Sequence, residues 1–469
     1  MTQKKTEAIS EETESEHNPE PGTELARGYG ASPGVATGPA RVIKDIDDAG
    51  QITEGDVIVT EMTAPDMVPA MQRSTGIITD NGGMTSHAAI VSRELGVPAI
   101  VGCGDATEAL SDGQRVTLDG EKGTVVIGEP KSESESTLDS ESTPERTAET
   151  DRTNGSIDDS AEYVPTTATE VKVNVSIPGA AQRAADTNAD GVGLLRLEHI
   201  LLSTGKTPDQ YVADHGEEAF VKEISEEIRK VADAFYPRPV RARTLDAPTD
   251  ELAELEGGES EPIEHNPMLG YRGIRRSLQE PEMVKLELRA FKRLHDMGYD
   301  NLEVMFPLPN DAEDVRRARE LMDKVGIDRD AYDWGAMIET PASIRSIDEI
   351  IDEGVDFVAL GTNDIVQFML AVDRNNAMVA DRFDNYHPTI LEAMAEVIEA
   401  CNEHDVDTTI TGQSGSDPEM AKFLAEQGIS SLSSNIDAVD DVRRVVARAE
   451  QELLLNAARD ASDDSTLLE

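Results

Sequence analysis

The chain has 469 residues, with 94 acidic side chains against 42 lysines and arginines and a formal net charge of −52. A surface of that sign repels the phosphates of nucleic acid, which excludes such a partner, and no run of about 18 apolar residues is present to span a membrane. Two cysteines, Cys103 and Cys401, stand in neither metal-binding nor disulfide spacing, and the N-terminus lacks the apolar stretch of a secretory leader, so a cytoplasmic protein is expected.

Residues 1–24 carry seven acids against two lysines and residues 129–162 eleven acids against three cations, which leaves about −39 on the rest. Arginine (29) outnumbers lysine (13). Self-repulsion on this scale is screened by salt. The composition reads as that of a salt-accumulating halophile, an acidic interaction surface being the alternative.

In chain order, residues 1–25 are polar and charged and read as a disordered acidic tail. Residues 26–128 contain short β-branched runs bounded by Gly and Asp: YGASPGVATGPARVI, DVIVTEM, GIITD and RVTLDGEKGTVVIG. Between them TSHAAIVSRELG has apolar residues at helical spacing, so this is a small α/β domain. Residues 129–169 are rich in Ser, Thr, Glu and Asp and form an acidic flexible linker. Flexible-chain scaling gives such a linker a reach of roughly 35 Å. Residues 170–456 alternate strand and helix, with strand-like runs at 171–176, 191–196, 240–246, 302–307, 335–339, 357–361, 408–412 and 431–434. Eight βα units of this size predict a (β/α)₈ barrel, a doubly wound sheet being the other α/β arrangement. Residues 457–469 form an acidic tail.

Two places in this plan carry chemistry. In NGGMTSHAAIVSRELG, Gly82 and Gly83 allow a sharp turn, Thr85 or Ser86 caps a helix, and His87 falls in its first turn. The unpaired N–H groups there favour negative charge, so His87 is placed to carry a phosphoryl group. In the barrel, Arg196, Arg243, Asp246, Glu339, Asn363 and Asp364 fall at strand ends that face one mouth. Glu339 and Asp364 offer the hard oxygens that suit Mg²⁺. Arg196 and Arg243 offer forked donors for phosphate and carboxylate, which Arg272 in NPMLGYRGIRR could join.

On ASPGVATGPA, DNGGMTSHAAIVSRELGVPAIVGCGDATE, GVGLLRLEH, NPMLGYRGIR, MIETP and GTNDIVQF, in that order along residues 27–455, the sequence resembles the phosphoenolpyruvate-utilising enzymes. It is similar to the phosphoenolpyruvate synthase (pyruvate, water dikinase) branch in particular. The resemblance implies a swivelling phosphohistidine domain linked to a phosphoenolpyruvate- and pyruvate-binding barrel, with Mg²⁺ as cofactor and a homo-oligomeric state. By the motifs, His87 matches the phosphorylated histidine, and Arg196 and Arg243 the substrate-binding arginines. Glu339 and Asp364 match the metal ligands, and Gly361, Thr362 and Asn363 the loop that holds substrate oxygens. Arg374 in AVDR matches a further basic contact.

Two departures accompany it. Family synthases begin with an ATP-grasp domain, whereas fewer than 30 residues precede the swivelling domain here, so a separate ATP-grasp protein is implied as partner. In TTITGQSGSD, Thr411 stands where the family has the cysteine that moves the C3 proton of enolpyruvate. A hydroxyl is a poor acid or base near neutrality. The expected function is phosphotransfer between phosphoenolpyruvate or pyruvate and phosphohistidine. A degenerate paralogue that binds phosphoenolpyruvate in a regulatory role, and a relay like enzyme I of the sugar phosphotransferase system, stand as alternatives.

Overall fold

The computed structural model describes residues 22–128 and 164–466, except positions 45, 65, 66, 85, 375 and 377. The expected N-terminal tail to residue 21, Thr85 as a cap, and the linker over 129–163 lie outside the described residues.

The first unit is an eight-stranded sheet: β1 (Glu24–Arg27), β2 (Tyr29–Ser32), β3 (Val35–Ile43), β4 (Val57–Thr60), β5 (Gly76–Thr79), β6 (Ala99–Val101), β7 (Arg115–Asp119) and β8 (Thr124–Ile127). Their order is β1-β8-β7-β3-β4-β5-β6-β2. The segment β3-β4-β5-β6 is parallel and the flanking pairs are antiparallel. Val57, Val59, Ile78, Ile100, Val116, Leu118 and Val125 fill its core. Strands β4 and β5 are buried on both faces, which is why the runs VIV and GII within them are apolar, each strand closing on a buried threonine. The helix His87–Leu95 connects β5 to β6.

The second unit is a closed barrel of eight parallel strands paired in chain order: β9 (Glu170–Val175), β10 (Val192–Arg196), β11 (Val240–Arg243), β12 (Leu302–Phe306), β13 (Trp334–Ile338), β14 (Phe357–Gly361), β15 (Asp407–Thr411) and β16 (Ser431–Ser434). β16 pairs back onto β9, with Ser431 opposite Glu170. The Glu450 carboxylate, on the last helix Val439–Thr466, accepts the N–H groups of Ala168 and Thr169 at that seam. This helix runs on through most of the segment read as an acidic tail.

Two apolar layers hold the barrel. One lies between strands and outer helices and includes Val240, Val304, Ile338, Leu360 and Ile410. The other is a small cluster of Leu194, Met305, Met337, Phe357 and Ala359. Strand alternation sorts β11, VRAR, so that Arg241 and Arg243 share one face. Arg241 pairs with Glu303, its register partner on β12, and stacks 3.9 Å from the Phe357 ring centre. Arg243, two residues on, comes out at the C-terminal end of the strand.

Candidate phosphohistidine and barrel-mouth sites

In the first unit, β5 ends in a turn where Gly82 takes φ +109°, a value that an L side chain rarely adopts. Ser86 caps the following helix, its Oγ accepting the Ala89 N–H at 3.4 Å. His87 is therefore the first helical residue. Its Nδ1 shares a 2.8 Å hydrogen bond with Thr63 Oγ1. Burial pushes the imidazole down to about 4, so the ring is neutral and nucleophilic at pH 7. Thr63 carries no sequence signal: it lies 24 residues from His87, in a loop.

In the barrel, strand ends bring the expected charges together. Arg196 ends β10 and donates to Ser176 Oγ at 2.6 Å. Arg243 ends β11 and is paired with Glu198 and, at 2.9 Å, with Asp246. Arg272 grips Asp246 with two nitrogens at 2.8 and 2.7 Å and reaches Asp364 at 3.0 Å. The result is a continuous network, Glu198–Arg243–Asp246–Arg272–Asp364. Burial opposes the charge of Arg272, but Asp246 and Asp364 outweigh it and hold its pKa well up. Burial opposes ionised Asp246 as well, and Arg272 and Arg243 outweigh it and hold its carboxyl down. Arg196 is pushed down by burial and then by neighbouring Arg243.

Glu339, one residue past β13, accepts the Leu308 N–H at 2.9 Å. Leu308 has φ 62°, an uncommon value for a non-glycine residue, and sits between Pro307 and Pro309. The carboxyl of Glu339 lies so close to Gly361 that a Cβ there would come within 2.4 Å of its Oε1, so only glycine fits. Burial, then the Asp364 and Asp246 carboxylates, push Glu339 up. The helix Thr362–Leu370 starts directly after β14, its N-cap Gly361 supplying no side-chain acceptor. Thr362 donates its hydroxyl to the Thr411 carbonyl at 3.3 Å, and Asn363 follows, half-buried. Thr411 is buried and donates its own hydroxyl to the Leu360 carbonyl at 3.3 Å.

Several polar atoms of this mouth are buried with no partner: Arg374 Nε and Nη1, Arg243 Nε, Asp364 Oδ1 and Glu198 Oε2. Each such atom costs about 1–3 kcal/mol, more when charged. Arg374 follows the helix after β14 and is within electrostatic reach of Arg196, across the barrel. An anion would satisfy the guanidinium donors, and a cation the carboxylate oxygens. Among the described residues no group of three or more His, Cys, Asp or Glu forms a metal cage. Glu339 and Asp364 alone would leave room for substrate and water oxygens on a hard cation.

Two family models match the chain: the "PEP-utilising enzyme, mobile domain" over residues 52–123 and the "PEP-utilising enzyme, PEP-binding domain" over residues 151–451. The chain belongs to the PEP-utilising enzyme family. A probable phosphoenolpyruvate synthase of Archaeoglobus fulgidus is 48% identical over 97% of the chain and 57% of its own length. The phosphoenolpyruvate synthase of Pyrococcus furiosus is 47% identical over 97% and 54%. A probable phosphoenolpyruvate synthase of Pyrococcus abyssi is 49% identical over 91% and 51%. The chain spans about half the length of these curated relatives. His87 lies within the span of the mobile-domain model, and Arg196, Arg243, Arg272, Glu339, Asp364, Arg374 and Thr411 within that of the PEP-binding domain.

Sequence reasoning missed Glu198, which ties Arg243 in place, and Ser176, which holds Arg196. Glu198 could have been found in GVGLLRLEH: it stands two residues past Arg196, where the chain turns from strand into helix. No helix among the described residues is long and apolar enough to cross a membrane.

Proposed function

We propose that this chain transfers a phosphoryl group between phosphoenolpyruvate or pyruvate and a phosphohistidine formed on His87, as part of a phosphoenolpyruvate synthase-like system. The observation that carries this reading is the barrel mouth. Buried guanidinium donors of Arg374 and Arg243 and a buried oxygen of Asp364 are left without partners there, beside a fully connected arginine–carboxylate network. A ligand with two anionic ends, phosphoryl and carboxylate, accompanied by a cation, would complete both sets. The names of the relatives favour this reading over the regulatory and relay alternatives.

In this reading Arg196, Arg243, Arg272 and Arg374 bind the phosphoryl and carboxylate groups, the first two as forked donors already oriented by Ser176 and Glu198. The first turn after Gly361, with Thr362 and Asn363, offers N–H and amide donors to substrate oxygens. Glu339 and Asp364 would hold Mg²⁺, which when bound neutralises charge on the phosphoryl and enolate oxygens. Thr63 holds His87 Nδ1, which directs phosphoryl transfer to Nε2. The P–O bond of phosphoenolpyruvate breaks as the N–P bond forms, and the enolate of pyruvate departs. An ATP-grasp unit would serve His87 from the nucleotide side. The acidic composition supports operation at high salt.

The test mixes the purified chain with Mg²⁺ and phosphorus-labelled phosphoenolpyruvate at molar KCl. Acid-labile label should appear, and should be lost in His87→Ala or on adding a chelator. Undiminished labelling of His87→Ala would overturn the reading.

A further inference from the structure

Arg243 and Asp246 both serve the barrel mouth, yet they stand three residues apart, a spacing that puts two side chains of a strand on opposite faces. Strand β11 obeys the rule. Arg241 stacks on Phe357 and Arg243 Nη1 lies 3.8 Å from Met337 Sδ, while Val240 and Ala242 join the core against the helices. Continued alternation would put Leu245 on the side of Arg243 and Asp246 on the side of Ala242. The reverse is found. Leu245 and Ala247 pack into the helix-side core, and Asp246 turns to Arg243 and Arg272. The chain therefore changes face between Arg243 and Leu245.

The backbone hydrogen bonds show what supports the change. Thr244 still donates its N–H to the Met305 carbonyl on β12 at 3.0 Å. Pairing with β10 stops at Arg196 opposite Arg243, because β10 passes there into the helix Leu197–Leu202. The N–H of Leu245 thus has no strand to reach, and a buried N–H without an acceptor is costly. Glu287 Oε2 accepts it at 2.9 Å. Glu287 belongs to the helix Pro281–Asp296, where Val284, Ala290, Phe291 and Leu294 line the same buried face at helical spacing. An apolar side chain would continue that face. A carboxyl there is unfavourable: burial pushes it up to about 7, with the Leu245 N–H opposing and Glu198 adding to the rise. The costly acid stands where its one acceptor oxygen meets the residue at which the chain changes face.

We propose that Glu287 is a positioning residue for phosphoenolpyruvate: by holding the Leu245 N–H it turns Asp246 into the mouth, and through Asp246 it aims Arg243 and Arg272 at the substrate. This rests on the phosphotransfer function proposed above. The contact is with main chain, so it sets the direction of the next side chain rather than the charge of the site. An acceptor of the right length is what the position needs. Without it Arg243 keeps Glu198 and Arg272 keeps Asp364, so the barrel stays folded while the two guanidinium groups lose their common anchor.

The experiment compares the unmodified chain with Glu287→Gln, Glu287→Asp and Glu287→Met at molar KCl with Mg²⁺. Phosphoenolpyruvate affinity is read by calorimetry, the rate of acid-labile labelling at saturating phosphoenolpyruvate by quenched flow, and folding by urea. Gln keeps an acceptor oxygen at the same reach and loses the charge; Asp keeps the charge and draws the oxygen back; Met keeps the length and has no acceptor. Glu287→Gln should bind within about threefold of the unmodified chain, and Glu287→Asp and Glu287→Met about tenfold or more weakly, with the saturated labelling rate changed less than the affinity. Where Glu287→Met does not fold, the order of Gln above Asp carries the test alone. Unchanged affinity in a folded but less stable Glu287→Asp would reduce Glu287 to a structural part and overturn the proposal. Affinity kept in Glu287→Asp and lost in Glu287→Gln would also overturn it, because charge and not reach would then matter. No phosphoenolpyruvate binding by the unmodified chain would overturn the underlying function itself.

Discussion

Asp246 is the most heavily used carboxylate of the mouth, and replacing it with Asn tests whether the network is structural as well as functional. Its side chain is 0% exposed, accepts two charge-assisted hydrogen bonds from Arg272 at 2.8 and 2.7 Å, and is ion-paired with Arg243 at 2.9 Å. Removing one partner of a buried ion network costs about 3–5 kcal/mol, because the opposite charge is left uncompensated. Here each arginine keeps another carboxylate, Glu198 for Arg243 and Asp364 for Arg272, which places the loss near the lower end, about 3 kcal/mol. Urea unfolding of the barrel at molar KCl and pH 7 measures it directly, as a folding constant reduced about 100-fold. The pH dependence has a defined sign. Asp246 is held below its unfolded value, so its contribution is present above about pH 4 and is lost as pH falls through the lower folded value. The gap between the two proteins should therefore be constant from pH 8 to 5 and close only well below pH 4. A loss under about 1 kcal/mol at pH 7 would refute the argument that the two guanidinium groups depend on this carboxylate.

Arg374→Leu should separate binding from stability: with Nε and Nη1 already unpartnered, its removal should leave the unfolding midpoint unchanged or raised, while phosphoenolpyruvate binding by calorimetry weakens at least tenfold. A matching drop in stability would show that the side chain is structural. Because burial holds His87 neutral down to about 4, labelling from phosphoenolpyruvate should persist from pH 7.5 to 5. A fall centred near pH 6.5 would mark an ordinary solvated imidazole instead. With 94 acids against 42 cations, the melting temperature should rise between low and molar KCl. A flat or falling curve would reject adaptation to salt.

Much of the barrel was legible because its strands are apolar runs separated by amphipathic helices. Strand β14 begins and ends where FVALG does, and the reading of 302–307 is one residue longer than β12. The run VRARTLD was read as strand to residue 246, but pairing stops at Arg243, and Leu245 instead donates to Glu287 on a helix. Strand β6, AIV, was not read as a strand because three residues are too few for a period to declare itself. The charged site residues could be read from position alone, since strand ends of a barrel share a mouth. Their partners could not. Glu198 meets Arg243 through the register of β10 on β11, and Thr63 meets His87 through a loop, so neither contact leaves a pattern in the chain.

The single seam of the barrel bears on how the protein is made. Seven of the eight strand pairings join neighbours in sequence, and only β16 against β9 joins residues about 260 apart, as Ser431 does with Glu170. Closing a loop of that length carries the largest entropic penalty of any pairing in the ring. On a ribosome, β9 to β15 can form an open, curled sheet, but its last edge has no mate until residue 434 has emerged, and Glu450 must follow to fasten Ala168 and Thr169. The arginines and carboxylates of the mouth, spread from residue 196 to 374, share an axis only after that event. Nascent chains stalled before β16 should therefore expose a sticky sheet edge and need shielding, and the anion site comes into being in one late step.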